Sequence, residues 1–382
     1  MKRVLLVGVL VVTTVALGLL LLSTSDSPTS PSLGTAETPQ TPPPGAPIFE
    51  LDPSWPTVPD QWVLGAVSSI GVDGQGHLLV LHRPLSVPAD ELHMAAPPVL
   101  EFDIAGNFLR AWGGAGDGFE WPEREHGIYV DYRGDIWIGG NNCPERNLPG
   151  LKPVSDDQIL KFSGDGRFLL QIGRSNQSSG SSDTRNVRQP GDQAVYPRTN
   201  ELLVADGYGN RRVIVFDADT GEFKRTWGAF GNEPIDSYEC PPPGPGPQSE
   251  GDGPPQFLIV HALAVSNDGF VYVADREYGR IQVFTVDGEF VDQMFTPRDD
   301  RGRARAGDVA FSADPQQEFM YVPASGGQIA VINRSSLEVL YSFPGSGHHI
   351  ATDSEGNLYT AQTGQRRAQK YVFQGLSTGD GR

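Results

Sequence analysis

Short apolar runs separated by tight polar turns govern most of this sequence. HLLVLH, DIWIGG, ELLVAD and FVYVAD are punctuated by DGQG, DYRG, PRTN and SNDG. Alternation over so few residues is the strand period. Asp, Asn and Gly tolerate turn dihedrals at little steric cost, so these segments predict strand pairs joined by tight turns. A second hairpin recurs in EFDIAGNFLRAWG (101–113), KFSGDGRFLLQIG (161–173), VFDADTGEFKRTWG (215–228) and VFTVDGEFVDQMF (283–295). Its consensus is F-x-x-x-G-x-F-x-x-x-x-G. Helical periodicity is nearly absent beyond the N-terminus.

The two hairpins form one repeating unit of four strands. Starts fall at Ser68, His126, Gly191, His261, Gly307 and His348. A four-stranded sheet cannot cover both of its apolar faces alone, so neighbours must stack and the ring must close. The expected fold is all-β, a six-bladed β-propeller over residues 48–375. IFELDPSWP (48–56) is expected to lend a strand to the last blade, which ends near QKYVFQG (369–375).

Alignment of the repeat starts isolates one position. HGIYVDYRGDIWIGG from His126, HALAVSNDGFVYVAD from His261 and HHIATDSEGNLYTAQ from His348 carry histidine there; the copies between them carry Gly191, Gly307 and Ser68. In a six-fold ring, units two, four and six lie about 120° apart, so three imidazoles converge on the axis. Neutral imidazole suits zinc or another divalent transition metal, and three protein ligands leave a position for water or substrate. The next strand runs antiparallel and returns to the same end. That brings His82, Arg83, Asn141, Asn142, Tyr208 and the Asp275-Arg276-Glu277 run to the same mouth of the channel. His349 is an alternative to His348 if the strand register shifts by one.

Composition adds boundaries. With 46 Gly and 32 Pro, an all-β repeat protein is favoured over an α/β one. A formal charge of −18 excludes nucleic acid as a partner, because phosphates need a basic footprint. The two cysteines, Cys143 and Cys240, allow a single intramolecular disulfide. Residues 1–22 start with Lys2 and Arg3 and run apolar over 4–22, which reads as a membrane anchor or a signal peptide. Either way the remainder is exported. Residues 23–47, rich in Ser, Thr and Pro, read as a linker without a core of its own, and 376–382 as a tail. The Pro- and Gly-rich insertion at 233–256 reads as a surface loop or lid.

VADGYGNRRVIVF (204–216) and VADREYGRIQVF (273–284) resemble NHL-type propeller repeats. More specifically, the HR pair at 82–83, HGI-x-VD, VADGYGN-x-R, HALAV and ADRE-x-GRIQ-x-F resemble the peptidyl-α-hydroxyglycine α-amidating lyases over about 270 residues. The resemblance implies zinc on His126, His261 and His348, Tyr208 as general base, and Arg83 and Arg276 binding substrate carboxylate or oxygen. It implies a small peptide or hydroxy-acid-like substrate. A phenol beside a metal and guanidinium groups can surrender its proton and serve as a base. An arginine fork matches a carboxylate bidentately.

The sequence also departs from that family. His349 stands where a carboxylate would serve a structural calcium, which argues against calcium here. Ser346 replaces a sulfur side chain, Gly209 stands where one of the family's disulfide cysteines is expected, and the 382 residues carry no copper monooxygenase domain. Arg276 could instead pair with Glu277 or Asp275, and Tyr208 could be a packed turn aromatic. The competing function is a non-enzymatic NHL scaffold that binds a protein or glycan. A calcium-dependent propeller hydrolase of the lactonase kind fits the histidines poorly.

Overall fold

The computed structural model describes residues 40–236, Cys240 and 251–379. The anchor or signal segment, and the linker up to residue 39, lie outside the described residues. Within them the chain forms six antiparallel four-stranded sheets. Five are consecutive in sequence. The sixth takes its outermost strand, Pro47–Asp52, from the other end of the chain and pairs it with Arg367–Leu376. Two flanking segments lengthen that seam: Gly45 donates to the carbonyl of Ser377, and Ser377 donates to that of Ala46. Part of the expected linker is therefore bound to part of the expected tail.

Six hydrophobic clusters lie one between each pair of neighbouring blades, and the sixth joins blade six to blade one through Trp55, Val67, Tyr359 and Ala361. That is why the pattern changes across a blade. Ile136–Gly140 and Gln158–Phe162 are buried at every residue, sandwiched on both faces. The outermost strand of the same blade, Phe168–Gly173, is mostly half-buried and exposes Leu169.

The consensus glycine of the outer hairpin has two tasks. Gly106 and Gly288 adopt φ of 90° and 91°, a left-handed conformation that disfavours side chains. Each also packs against an indole: a Cβ at Gly106 would meet Trp55 at 2.6 Å, and one at Gly288 would meet Trp227 at 2.7 Å.

Cys143, in the loop after Ile136–Gly140, is bonded to Cys240, in the loop between blades three and four, across 97 residues. Closing a loop of that length stabilises the fold by about 4–5 kcal/mol in the chain-entropy account.

Candidate metal centre

The inner strands deliver their first side chains to the axis by breaking their own ladders. In blade two the register slips between Glu125 and Ile128, and in blade four between Val260 and Ala262. His126 and His261 fall in these bulges, which re-aim a side chain away from the pleat. His348 lies one residue before its strand, and its N–H bonds Ala361 O at 2.6 Å.

Each histidine then uses its neighbour. Nδ1 of His126 donates to Gly191 O (2.6 Å), Nδ1 of His261 to Gly307 O (2.5 Å) and Nδ1 of His348 to Ser68 O (2.7 Å). Every even-numbered blade is thus anchored on the equivalent residue of the next blade round the ring. A carbonyl only accepts, so Nδ1 carries the proton in each ring and Nε2 is left with a lone pair. The Nε2 atoms of His261 and His348 stand 3.3 Å apart, and the three ring centroids lie 4.7–5.0 Å from one another. Burial is the main cause that holds all three rings well below the usual imidazole pKa, reinforced by neighbouring rings and by Arg83 or Arg276. Neutral, pre-oriented and convergent imidazoles are what a divalent transition metal needs. Bonds of about 2.0–2.1 Å in tetrahedral array put ligand nitrogens about 3.3 Å apart. The cluster allows a metal site.

Tyr208 and Arg276 complete one side. The Tyr208 hydroxyl lies 2.8 Å from Nε2 of His126 and accepts from Nη1 of Arg276 at 2.5 Å. Arg276 also pairs with Glu277 at 2.6 Å. Burial works against its charge, but Tyr208 and Glu277 outweigh burial and raise its pKa. Asp275 is engaged elsewhere, in a fully buried pair with Arg280 at 3.0 Å. Arg83 lines the same cavity as Tyr208, Arg276 and His348. His82 stays outside the cluster: it accepts from Gly65 N and donates to Pro97 O, and burial pulls its pKa to about 4. Asn142 holds the carbonyls of Lys152 and Val154, while Asn141 accepts from Arg124.

His348 and His349 both reach the axis. The His349 ring lies 5.0–5.3 Å from each of the other three, with Nδ1 3.2 Å from the Asp308 carboxylate. Burial pulls its pKa down, but Asp308 and Asp192 push harder and the net shift is upward. Asp192, Asp308 and His349 form a second buried group in the channel. Sequence reasoning missed the two acids, although the signal was in the repeats: the residue after Gly191 and Gly307 is Asp in both. Arg124 and Arg146, which line the cavity beside Tyr208, were also missed and occupy no repeat position.

The NHL repeat family matches residues 257–284. Peptidyl-glycine alpha-amidating monooxygenase B of Xenopus laevis is 31% identical over 64% of this chain. The chain spans 26% of that relative's length. Peptidyl-alpha-hydroxyglycine alpha-amidating lyase 1 of Drosophila melanogaster is 26% identical over 85% of this chain and 60% of its own. NHL repeat-containing protein 3 of Mus musculus is 25% identical over 85% of this chain and 84% of its own. Among solved structures, a streptogramin B lyase shares the fold, with a TM-score of 0.50 and 15% identity over 85% of this chain and 98% of that one. The disulfide suits an oxidising compartment.

Proposed function

From the premise that the chain is an NHL-repeat six-bladed propeller homologous to the amidating enzymes and to NHL repeat-containing protein 3, we propose that it is an exported zinc-dependent lyase. It cleaves the C–N bond of an N-acyl-α-hydroxyglycine, giving an amide and glyoxylate. The observation that carries this reading is the convergence of three unprotonated Nε2 atoms, each ring fixed by a carbonyl of the next blade, with the Tyr208 hydroxyl 2.8 Å from one of them.

His126, His261 and His348 hold the metal. Zinc, when bound, polarises the substrate's hydroxyl oxygen and lowers its pKa. Tyr208 takes the hydroxyl proton. The electron pair of that O–H bond forms the carbonyl of glyoxylate, the C–N bond breaks, and the proton passes to the amide nitrogen. No water is consumed. Arg276 holds the carboxylate, so the hydroxyl faces Tyr208, and Arg83 faces the acyl side of the substrate. Calcium has no part in this reading, since an imidazole fills the position after His348. Export proceeds through residues 1–22, retained as an anchor or removed.

Elemental analysis of the purified exported domain should find zinc near one per chain, and an N-acyl-α-hydroxyglycine should release glyoxylate. Tyr208→Phe should keep the zinc and lose roughly 10²–10⁴-fold in kcat. A metal-free chain that releases no glyoxylate would overturn the proposal. The match with NHL repeat-containing protein 3 over 85% of this chain and 84% of that protein favours the second reading in that event, a scaffold that binds a protein or glycan through its loops.

A further inference from the structure

A cavity of about 240 Å³ beside Tyr208 and His348 collects the guanidinium groups of Arg83, Arg124, Arg146 and Arg276, with no carboxylate in its wall. This is a concentrated positive charge in a chain whose formal charge is −18. Arg276 is balanced by Glu277. Arg83 is 6% exposed; its Nε donates to Glu125 O at 2.7 Å, and its Nη2 is buried without a hydrogen-bond partner. Arg124 donates to the amide oxygen of Asn141. Neither Arg83 nor Arg124 has an ion pair among the described residues.

The acids nearest to them are engaged by other donors. Asp156 accepts the backbone N–H groups of Glu123, Arg124 and Asn142, and Glu125 accepts the indole N–H of Trp121. A buried guanidinium with an idle N–H, next to like charges, is costly unless an anion joins it.

The cavity meets the reacting centre at Tyr208, Arg276 and His348. A second cavity, about 550 Å³, shares Arg276 and His348 and adds Arg303 and Arg305. Under the lyase reading, which fixes where the reacting carbon lies, the carboxylate destined for glyoxylate occupies Arg276. That leaves Arg83, Arg124 and Arg146 facing the acyl side of the scissile bond. We propose that this cavity binds a second carboxylate, on the substrate's acyl group, so that the protein selects dianionic over monoanionic N-acyl-α-hydroxyglycines.

N-succinylglycine and N-pentanoylglycine test this without turnover, because neither carries the hydroxyl. Titration calorimetry on the wild-type chain should show the dianion binding at least tenfold more tightly. Arg124→Gln and Arg146→Gln should each bring the ratio of the two affinities toward one. Equal binding to the wild type overturns the proposal, and needs no variant to fold. A ratio that survives both substitutions also overturns it, moving the second anion to Arg303 and Arg305. A tenfold preference that depends on Arg124, in a chain that cleaves no hydroxylated analogue, keeps the anion site and removes the lyase reading.

Discussion

Blades two, four and six present imidazoles to the axis, whereas blades one, three and five present Ser68, Gly191 and Gly307 at the same position. The two sets are complementary. The odd blades contribute backbone carbonyls, and those carbonyls decide which nitrogen of each even-blade ring is protonated. Small residues there are part of the site. A Cβ at Gly191 would lie 2.2 Å from the backbone oxygen of His261, the next imidazole round the ring. One repeat thus supplies an imidazole or supports one according to the size of a single side chain.

The largest expected effect breaks the even set. His126→Ala with His261→Ala should abolish stoichiometric zinc and glyoxylate release, while circular dichroism stays that of a folded all-β chain, because the six inter-blade clusters are untouched. Retained zinc would remove the triad from the proposal. Next comes Gly191→Ala, which leaves every imidazole in place but forces the His261 backbone and the carbonyl under His126 apart. Zinc affinity, measured by chelator competition, should fall roughly 10–100-fold, as for lost orienting partners of metal ligands. Overpacking should cost about 1–3 kcal/mol in unfolding.

Gly307→Ala sharpens the contrast. Its Cβ would meet Pro323 at 3.1–3.2 Å, contacts that a shift of a few tenths of an ångström relieves. The loss in zinc affinity should be well under that of Gly191→Ala. Ser68→Ala should be the quietest. Its hydroxyl makes only a long contact to Leu81 O, at 3.4 Å, and the carbonyl that holds His348 remains. A change beyond about twofold in zinc affinity would mean that the serine side chain acts on the site, contrary to the division between the two sets.

The blades were legible because their signals are local: alternation, turn glycines and the recurring start. The six-fold repeat even located the three imidazoles, since closure converts sequence spacing into angle. The carbonyl partners were not legible, as every residue carries one and only the fold aims it. His349 looked like an alternative to His348 because the two are adjacent. The ladder in fact begins at His349, which leaves His348 free to turn inward beside it. Arg124 and Arg146 stand on irregular segments where no repeat predicts direction. Pairing of Cys143 with Cys240 required knowing that two insertions, 97 residues apart, meet.

The borrowed strand Pro47–Asp52 has a consequence in time. Made early, it has no edge to join until Arg367–Leu376 is complete, so the nascent chain carries an open ring through most of its synthesis. His348 belongs to that same last blade. The third imidazole and the closing seam therefore arrive together, and a chain stalled or clipped before its final blade keeps two imidazoles and no circle. Metal retention would report that synthesis had finished, sorting completed molecules from fragments before any substrate is met.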